Sequence, residues 1–459
     1  MSDMEFIVPS IFIDESDVGT RPTPDLSLSG IGIVGTFEWG PVNAPTTIGD
    51  PDQLVQVFGG NKPGLTGYKS AISAMKQGAD DLRIVRIVGA GAAVATKAFT
   101  NLKGAFDLII TFRGAVEKFE KVALDKLNVV KSSYVLLEKQ ATTLIITAAN
   151  EGAWGNDIRV KIDTATTVTL EGGSDGVEAT DAAYIGTIDP VTGEKTGLKA
   201  LEAVQCGITI CAQQYSEAIN VALINYCENA HVSDGLRIAV LNTPPGMSST
   251  AVAAKTLALD SARGHMADVW RYPADDPDVL YAPDGFRAGL IAALQPHMSP
   301  SNKQEQGILK LEKNYAYAQV KEVTLAKVSP TTLVPNRGCR VRNGVTLASD
   351  TAWSQLNIRR QQDKMVMELY HAMQWAISEP HEPKLWNNVA TQVDAYLATE
   401  YQLGRIFGYL PTICNAKVNP PEMIIKRILT FIMQWKPLYA ADYILFKVRR
   451  VLPTVDDQQ

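Results

Sequence analysis

Apolar residues recur at helical spacing within residues 340–411, the most strongly patterned stretch of the chain. Its first apolar stripe consists of Met365, Leu369, Met373 and Ile377. A spacing of four residues places these side chains on one face, which predicts an amphipathic helix. Pro380 is expected to end this helix, because proline disfavours helical backbone in the preceding residue and cannot donate the next backbone hydrogen bond.

A second helix is predicted to start at Pro383, since proline suits the first helical turn. Its apolar stripe consists of Leu385, Val389, Val393 and Tyr396. The helix is expected to end near Gly404 or Gly408. Trp375 and Trp386 flank the turn between the two helices, and we interpret both as core residues. With Leu385 they mark the hub of a rigid helical hairpin onto which other segments dock.

Before the hairpin, strands and helices alternate, which is typical of a parallel sheet covered by helices. Strands are predicted at residues 30–35, 82–88, 204–211, 236–241 and 266–272. Helices are predicted at residues 50–58, 66–78, 216–230, 250–263 and 284–294. Further strands are predicted around residues 315–328, 428–435 and 443–448. The sequence therefore predicts an α/β and α+β multidomain fold.

The domain organisation follows from changes in this rhythm. Residues 29–89 and 171–330 form the predicted central α/β domain, and residues 331–440 form a C-terminal α+β domain. Between the two segments of the central domain, residues 90–170 contain short Thr- and Val-rich alternating segments, which indicate a small inserted β domain. We expect this insert to face outward and to tolerate replacement.

Both chain ends are predicted to be extended β arms. Residues 6–13 are strongly strand-forming, but Pro9 restricts them to a sheet edge or a bulge, and a polar linker follows up to residue 28. A tethered strand can pair with its own sheet or with that of a neighbouring chain, and the residues leave both options open. Residues 441–459 form the corresponding C-terminal arm.

Composition bounds the class of protein. A chain of 459 residues is too long for one core and predicts two to four domains. A net charge of −6 gives no support for nucleic-acid binding. We expect no membrane-spanning helix and no secretory signal. The five irregularly spaced cysteines are interpreted as buried free thiols, which suits folding in a reducing cytoplasm.

Motifs that carry chemistry are incomplete. Gly89-Ala90-Gly91 follows a strand, but Val94 stands where a dinucleotide-binding fingerprint needs a third small residue. The segment 246–250 fails the nucleophile elbow because Thr250 replaces a glycine, so Ser248 or Thr250 is interpreted as a helix cap.

Metal-binding patterns are also incomplete. The five histidines are scattered, without the spacing of a zinc site. An acidic cluster lacks the spacing of a calcium loop and is interpreted as solvated; it consists of Asp275, Asp276, Asp278 and Asp284. We therefore predict a protein without catalytic residues, cofactor or metal.

Motifs in a fixed order along the chain resemble those of the contractile tail sheath proteins of myophages, tailocins and related injection systems. In the first half they are VPSIFIDE (8–15), VGTFEWGPVN (34–43), FGG (58–60), GAWGND (152–157), GGSDG (172–176) and YIG (184–186). In the second half they are PPG (244–246), PDGFRAGL (283–290), GVTL (344–347), NIRR (357–360), WAISEP (375–380), LW (385–386) and NPPE (419–422). The order over some 400 residues is more specific than any single motif.

The resemblance implies a structural subunit that polymerises around an inner tail tube and contracts to drive the tube through a cell envelope. The terminal arms would then add strands to a sheet in the C-terminal region of neighbouring subunits, giving an open helix of stacked six-subunit rings. The arm residues are Ile7, Val8, Ile11 and Ile13 at the N-terminus, and Tyr443, Leu445, Lys447 and Val448 at the C-terminus.

The implied partners are further copies of the chain, the tube protein, the baseplate and the tail terminator, without direct contact with nucleic acid or insertion into a membrane. The implied location is a virion tail or a tailocin-like particle, assembled in the host bacterial cytoplasm. Clustered charge suggests Lys417, Lys426 and Arg427 as tube-facing residues, and ordinary surface solvation is the alternative. Two other functions stay open: an α/β nucleotide-binding enzyme, or a shell protein that does not contract.

Deletion of residues 1–20 is expected to give a folded chain that does not polymerise, because the arm that joins neighbouring subunits is lost. Circular dichroism tests the folding and negative-stain electron microscopy tests the assembly. Normal tubes from this variant would contradict the assignment of the arm.

Overall fold

The computed structural model describes residues 26–102, 104–163 and 165–448, which fall into two compact units. The larger unit comprises residues 27–367 and 439–448, and the smaller unit comprises Leu26 and residues 368–438. Helices and strands are mixed throughout, so the predicted α/β character is confirmed.

The described strands are β1 Ile31–Thr36, β2 Thr46–Ile48, β3 Leu82–Ile87, β4 Thr96–Phe99, β5 Ala105–Phe112, β6 Ala115–Ala123, β7 Val135–Gln140, β8 Thr143–Ala148, β9 Arg159–Ile162, β10 Val168–Thr169, β11 Ile208–Cys211, β12 Ile238–Asn242, β13 Gly264–Asp268, β14 Arg271–Pro273, β15 Ile308–Leu311, β16 Val328–Val334, β17 Gly338–Val341, β18 Gly408–Ile413 and β19 Ile432–Lys436. The described helices are α1 Pro51–Phe58, α2 Gly67–Lys76, α3 Asp181–Ile185, α4 Gly197–Ala200, α5 Glu217–Glu228, α6 Ser249–Thr256, α7 Pro283–Ala293, α8 Tyr317–Leu325, α9 Leu356–Ala372, α10 Pro383–Gln402 and α11 Pro421–Ile425.

The larger unit is built on an eight-stranded sheet in the order β17-β16-β13-β12-β11-β1-β3-β2. The six inner strands are parallel, and the two edge strands pair antiparallel to their neighbours. Successive side chains enter different cores: Ile33 belongs to the core that includes residues of α2 and α7, whereas Val34 belongs to the core that includes residues of α5, α6 and α8. Helices therefore cover both faces, which explains why the inner strands are apolar without alternation.

Residues 96–169 of this unit form two further sheets, with strand orders β10-β9-β5-β6 and β4-β8-β7. They enclose a separate core that includes Leu108, Ile146 and Val160. Seven short strands in succession agree with the β character predicted for this part of the chain.

Two arginines attach these β sheets to the strands around them. Arg86 on β3 is fully buried and donates to the carbonyl oxygens of Phe37, Gly40 and Glu151. Arg113, in the turn between β5 and β6, lies 4.5 Å from the ring of Trp39 and 2.5 Å from the carboxylate of Glu38.

Lys62 is a second cation beside this buried Glu38. Burial opposes ionisation, but the hydrogen bonds and charges of Arg113 and Lys62 outweigh it and lower the pKa of Glu38. The two further sheets are thus joined to the eight-stranded sheet by the polar contacts of Arg86 and Glu38 as well as by the chain connections on either side.

A buried ionic network crosses the same unit. Glu305 Oε1 accepts from Arg287 Nε at 3.0 Å, and Glu305 Oε2 accepts from Thr331 Oγ1 at 2.7 Å. The same Oε2 also forms an ion pair with Arg271. Arg287 also donates to His265 Nε2 at 2.9 Å, and His265 Nδ1 lies 2.7 Å from the carbonyl of Val345.

Burial and the charge of Arg287 lower the pKa of His265 to about 3, so the ring is neutral and donates from Nδ1. The network links β13, β14, α7 and β16 through groups that are all removed from water.

Several sequence expectations were wrong. Residues 317–325 form helix α8 instead of strands, because Gln319 Oε1 accepts the N–H of Ala316 and caps the first turn. Helix α6 ends at Thr256, seven residues before the predicted end at Arg263. Asp284 is buried and accepts from Ser70 and Asn242, so it does not belong to a solvated cluster.

Helix α9 ends at Ala372, eight residues before Pro380. The amide of Gln392 donates to the Ala372 carbonyl at 3.3 Å, and the Ala376 N–H bonds instead to Met373. A side chain from α10 therefore replaces the next helical hydrogen bond and stops the helix before the proline does.

The expectations for the cysteines, for α10 and for Ser248 are confirmed. All five cysteines are buried free thiols. Helix α10 starts at Pro383 and buries its whole predicted stripe. Ser248 caps α6 by accepting from the Ala251 N–H. Within the described part of the chain, no helix is long and apolar enough to cross a membrane.

Glu305→Gln is expected to lower the free energy of unfolding by about 3–5 kcal/mol, because two buried guanidinium groups lose the carboxylate that neutralises them. Urea unfolding measures the change. Glu194→Gln, at an exposed position, is the matched control and should change stability by less than about 0.5 kcal/mol. Equal unfolding curves for both variants would refute the structural role of the network.

Candidate assembly site

The smaller unit carries a sheet of two strands. β18 and β19 are antiparallel, with Gly408 opposite Lys436 and Leu410 opposite Gln434. The register shifts beyond Leu410, so that Ile413 lies opposite Ile432. Among the described residues this sheet contains no third strand, and each strand therefore has one outer edge. Such an edge presents a row of backbone donors and acceptors that suits the addition of a strand from elsewhere.

The predicted hub residues hold the elements beneath this sheet together. Trp375 Nε1 donates to Gln392 Oε1 at 2.8 Å, which joins the turn after α9 to the middle of α10. Leu385 and Trp386 are buried on the first turns of α10. Trp375 itself is half-buried.

His381 connects Trp386, on the first turn of α10, to the segment that precedes β19. Trp386 Nε1 donates to His381 Nδ1 at 3.2 Å, so the ring proton lies on Nε2. His381 Nε2 in turn donates to the carbonyl of Ile428 at 3.1 Å. The His381 imidazole thus bridges α10 and the segment that leads into β19.

Asn419 fixes the loop between the two strands. Its side chain donates to the Thr430 carbonyl at 2.9 Å and accepts the Thr430 N–H at 2.7 Å. It also donates to the carbonyl of Asn415, and it is fully buried. The motif NPPE at 419–422 therefore positions α11 and the start of β19 through its asparagine.

Helix α10 supports β18 and the end of α9. Asp394 accepts the Thr412 N–H at 2.8 Å, and Arg405 pairs with Glu400 at 2.9 Å. Tyr396 donates to Glu368 at 2.5 Å, and burial together with this carboxylate raises the pKa of Tyr396 strongly. Helix α10 therefore holds strand β18 of this sheet in place.

An open groove of about 720 Å³ lies beside the start of β19. Its lining is mainly apolar and consists of Met373, Ala376, Ile377, Ser378, Glu379, His381, Leu385, Val389, Ile424, Arg427, Leu429 and Phe431. Further apolar side chains of the smaller unit are also exposed; they are Tyr401, Leu403, Phe407, Leu410, Ile425, Ile428 and Ile432. An exposed apolar surface of this kind is typical of a contact with another chain.

The suggested tube-facing residues are not all brought together. Arg427 lines the groove with Leu385, and its backbone has a positive φ of 60°. Lys426 ends α11, and Lys417 lies in the loop after β18; both are exposed.

The structure describes part of the predicted C-terminal arm but none of the predicted N-terminal arm residues. The N-terminal arm residues Ile7, Val8, Ile11 and Ile13 lie outside the described residues. Residues 443–448 are described and form no strand, so that prediction was wrong for the isolated chain. A strand needs a hydrogen-bonded partner, and none of the described strands pairs with this segment.

The C-terminal arm is nevertheless notable for its exposure. Tyr443, Leu445 and Val448 are exposed by 80–92%, and Lys447 is exposed as well. The preceding Ala440 donates its N–H to Gln355 Oε1 at 3.0 Å within the larger unit. The apolar side chains of this segment of the larger unit are therefore exposed to solvent.

Sequence reasoning missed β18, the groove and the role of Asn419. The alternating pattern Tyr409, Pro411 and Ile413 was a weak strand signal, because Pro411 argues against a central strand. The groove is formed by segments up to 58 positions apart, from Met373 to Phe431, and no local pattern indicates it. Among the described residues, no group of three or more His, Cys, Asp or Glu side chains is placed to hold a metal ion.

The described fold is that of the contractile tail sheath proteins. The sheath tail protein from Listeria innocua matches with a TM-score of 0.63 and 13% identity over 91% of this chain and 94% of that one. The sheath tail protein from Desulfitobacterium hafniense gives 0.59 and 15%, over 90% and 94% of the two chains.

The helical sheath of the anti-feeding prophage in its contracted state gives a TM-score of 0.60 at 13% identity, over 97% of this chain and 99% of that one. No protein-family model and no curated protein matches the sequence. The resemblance that the motifs indicate is therefore confirmed at the level of the fold.

Asn419→Ala is expected to destabilise the smaller unit by about 2–3 kcal/mol, since the Thr430 backbone loses both partners in a buried place. Urea unfolding followed by tryptophan fluorescence measures the loss. Asn387→Ala, on the exposed face of α10, is the matched control and should leave stability within about 0.5 kcal/mol. An unchanged midpoint for Asn419→Ala would show that the loop is held by other contacts.

Proposed function

We propose that this chain is the sheath subunit of a contractile tail, assembling around an inner tail tube and contracting to drive the tube through a target cell envelope. The observation that carries the proposal is the match over almost the whole length of both chains to sheath structures, one of them a helical sheath in its contracted state. A fold match of that extent includes the C-terminal elements as well as the α/β body.

Assembly would proceed by strand addition at the β18–β19 sheet. Two outer edges are present, and two terminal segments with strand-forming sequences need partners. The exposed side chains Tyr443, Leu445 and Val448 become buried when the C-terminal arm of one subunit pairs with the sheet of another. A contact between different surfaces does not close on itself, so repetition gives an open helix.

Contraction would use the subunit as a largely rigid body. The buried network around Glu305 and the contacts of Arg86 and Arg113 tie the main sheet and the inserted sheets together. The arms would then act as hinged tethers that keep the subunits connected while the lattice changes. A kinetic barrier between two lattices, rather than a nucleotide, would hold the extended state.

The finer organisation belongs to the same proposal. The domains are the N-terminal arm and linker (1–28), the central α/β domain (29–89 and 171–330), the inserted β domain (90–170), the C-terminal α+β domain (331–440) and the C-terminal arm (441–459). The partners are the tube protein, the baseplate and the tail terminator. The subunit would assemble in the bacterial cytoplasm and act as part of a tail or tailocin-like particle, without catalysis.

Two alternatives are separable by simple measurements. A nucleotide-binding enzyme would be stabilised against heat by nucleotide. A shell protein that does not contract would assemble into one lattice only. We favour the contractile subunit because one of the matching structures is itself a contracted sheath.

Deletion of residues 440–459 is expected to abolish tubes in negative-stain electron microscopy while leaving the urea midpoint nearly unchanged, because residues 441–448, in the described part of this segment, are exposed. Deletion of the polar tail alone, residues 454–459, is the matched control and should preserve the tubes. Tubes from both variants would contradict the proposed role of the C-terminal arm in assembly. Small closed oligomers from the full chain, even with the tube protein added, would contradict the proposed function itself.

A further inference from the structure

We propose that a pocket beside the start of β12 binds a small molecule with one carboxylate and an apolar body, and that Arg237 and Tyr226 hold the carboxylate. The pocket belongs to the larger unit and is lined by residues of α3, α4 and α5 and of the loop before β12. The inference goes beyond the proposed function, since a ligand site of this kind has no part in strand addition or contraction.

The pocket has the size of a site for a small ligand. Its volume is about 250 Å³, slightly below the roughly 300–1,000 Å³ of pockets that hold drug-sized molecules. Part of its wall is apolar and consists of Ile185, Leu198, Ala222 and Ala230. Covering such a wall with an apolar group releases ordered water and favours binding.

Arg237 brings a buried positive charge to the lining of the pocket. The side chain is 1% exposed, and its guanidinium carbon lies 4.8 Å from the centre of the Tyr226 ring. Nε donates to the Gly235 carbonyl at 2.9 Å, and the terminal nitrogens donate to the Tyr226 hydroxyl and the Asp234 carbonyl. Arg237 forms no ion pair with any described residue. Because a buried charge is costly without a counter-charge, an anion in the pocket would be stabilised.

Arg237 and Tyr226 also have hydrogen-bond donors to spare. Arg237 donates to three acceptors in the described part of the chain, fewer than a guanidinium has N–H groups to offer. The Tyr226 hydroxyl accepts from Arg237, and its own proton has no acceptor among the described residues, although the side chain is only 7% exposed. Buried donors without acceptors cost free energy. The two oxygens of a carboxylate can accept from both side chains.

The two carboxylates of the lining have partners of their own. Glu202 pairs with Lys195 at 3.0 Å and with Lys199 at 3.4 Å. Asp234 is exposed, and its carboxylate accepts from the Ser233 hydroxyl at 3.0 Å. Neither carboxylate is therefore the counter-charge that the buried guanidinium lacks.

The charges around the pocket define the ligand as a monoanion. Three cations, the two lysines and Arg237, oppose the two carboxylates and leave a net charge of +1. Burial raises the pKa of Tyr226, so the phenol stays neutral and can donate. A phosphate monoester carries roughly 1.5–2 negative charges at neutral pH and exceeds this balance. A carboxylate on a short aliphatic or aromatic body matches both the charge and the apolar wall.

The test measures thermal unfolding and isothermal titration calorimetry of the full wild-type chain with benzoate and with hexanoate. Both should raise the Tm, because a ligand that binds only the folded state stabilises it. Benzamide has the shape of benzoate without its charge and should give no shift. A wild-type chain that neither carboxylate stabilises, or that benzamide stabilises equally, overturns the proposal.

A pair of variants on α5 locates the site. Ala222→Phe places a ring in the pocket and should weaken benzoate binding by about tenfold or more, because ring and ligand compete for the same volume. Val221→Phe is the matched control: the neighbouring Val221 is 39% exposed, does not line the pocket, and its replacement should leave benzoate binding unchanged. Equal benzoate binding by the two variants places the ligand elsewhere and overturns the proposal.

A further variant separates the role of the charge from a structural role. In Arg237→Gln the preference for benzoate over benzamide should disappear, a change that a purely structural role of the arginine would not produce. A folded Arg237→Gln chain that keeps the full preference overturns the assignment of Arg237. If this variant does not fold, the comparison of Ala222→Phe with Val221→Phe decides, because neither substitution changes a charged residue.

Discussion

A β-strand needs hydrogen-bond partners on its ladder, and this requirement divides the described chain into two kinds of sheet. In the larger unit, β1 lies between β11 and β3, and each of the six inner strands of the eight-stranded sheet is paired on both sides. In the smaller unit, β18 and β19 have only each other among the described strands. The exposed apolar segment at residues 443–448 is the complementary case, a strand-forming sequence without a sheet. Both observations are explained if the partner of each lies in another copy of the chain.

Buried polar contacts tie the larger unit together, which the proposed role in a contracting lattice would require. Glu305 is held between Arg271 and Arg287, and Arg86 donates to three carbonyls from two parts of the chain. Buried charges of this kind are costly unless every partner is in place, so they disfavour partly opened states. The inserted sheets share this anchoring through Arg113 and Glu38. Replacement of residues 90–170 would therefore leave Lys62 as the one remaining cation of this described pair beside Glu38, a consequence that composition alone does not reveal.

The sequence predicted those parts of the fold that local patterns decide. Pro383 and the stripe from Leu385 to Tyr396 gave α10 its start and its buried face, and apolar runs gave the inner strands. It failed where distant residues decide. Gln392 ends α9 across 20 positions, and Asn419 holds Thr430 across 11. Within the candidate site, Trp386 could be predicted as a buried residue, whereas Trp375 is half-buried. The groove and the bridge by His381 depend on contacts that periodicity does not contain.

The central claim is that copies of this chain join by adding strands to the β18–β19 sheet. A helical reconstruction by electron cryomicroscopy of the assembled tubes tests it most directly, because the strands of that sheet can be counted and traced to their chains. The account predicts that the outer edges of β18 and β19 are paired with strands from other copies, one from each chain end. A sheet that still has two strands in the assembled tube, with subunits joined through other surfaces, would contradict it.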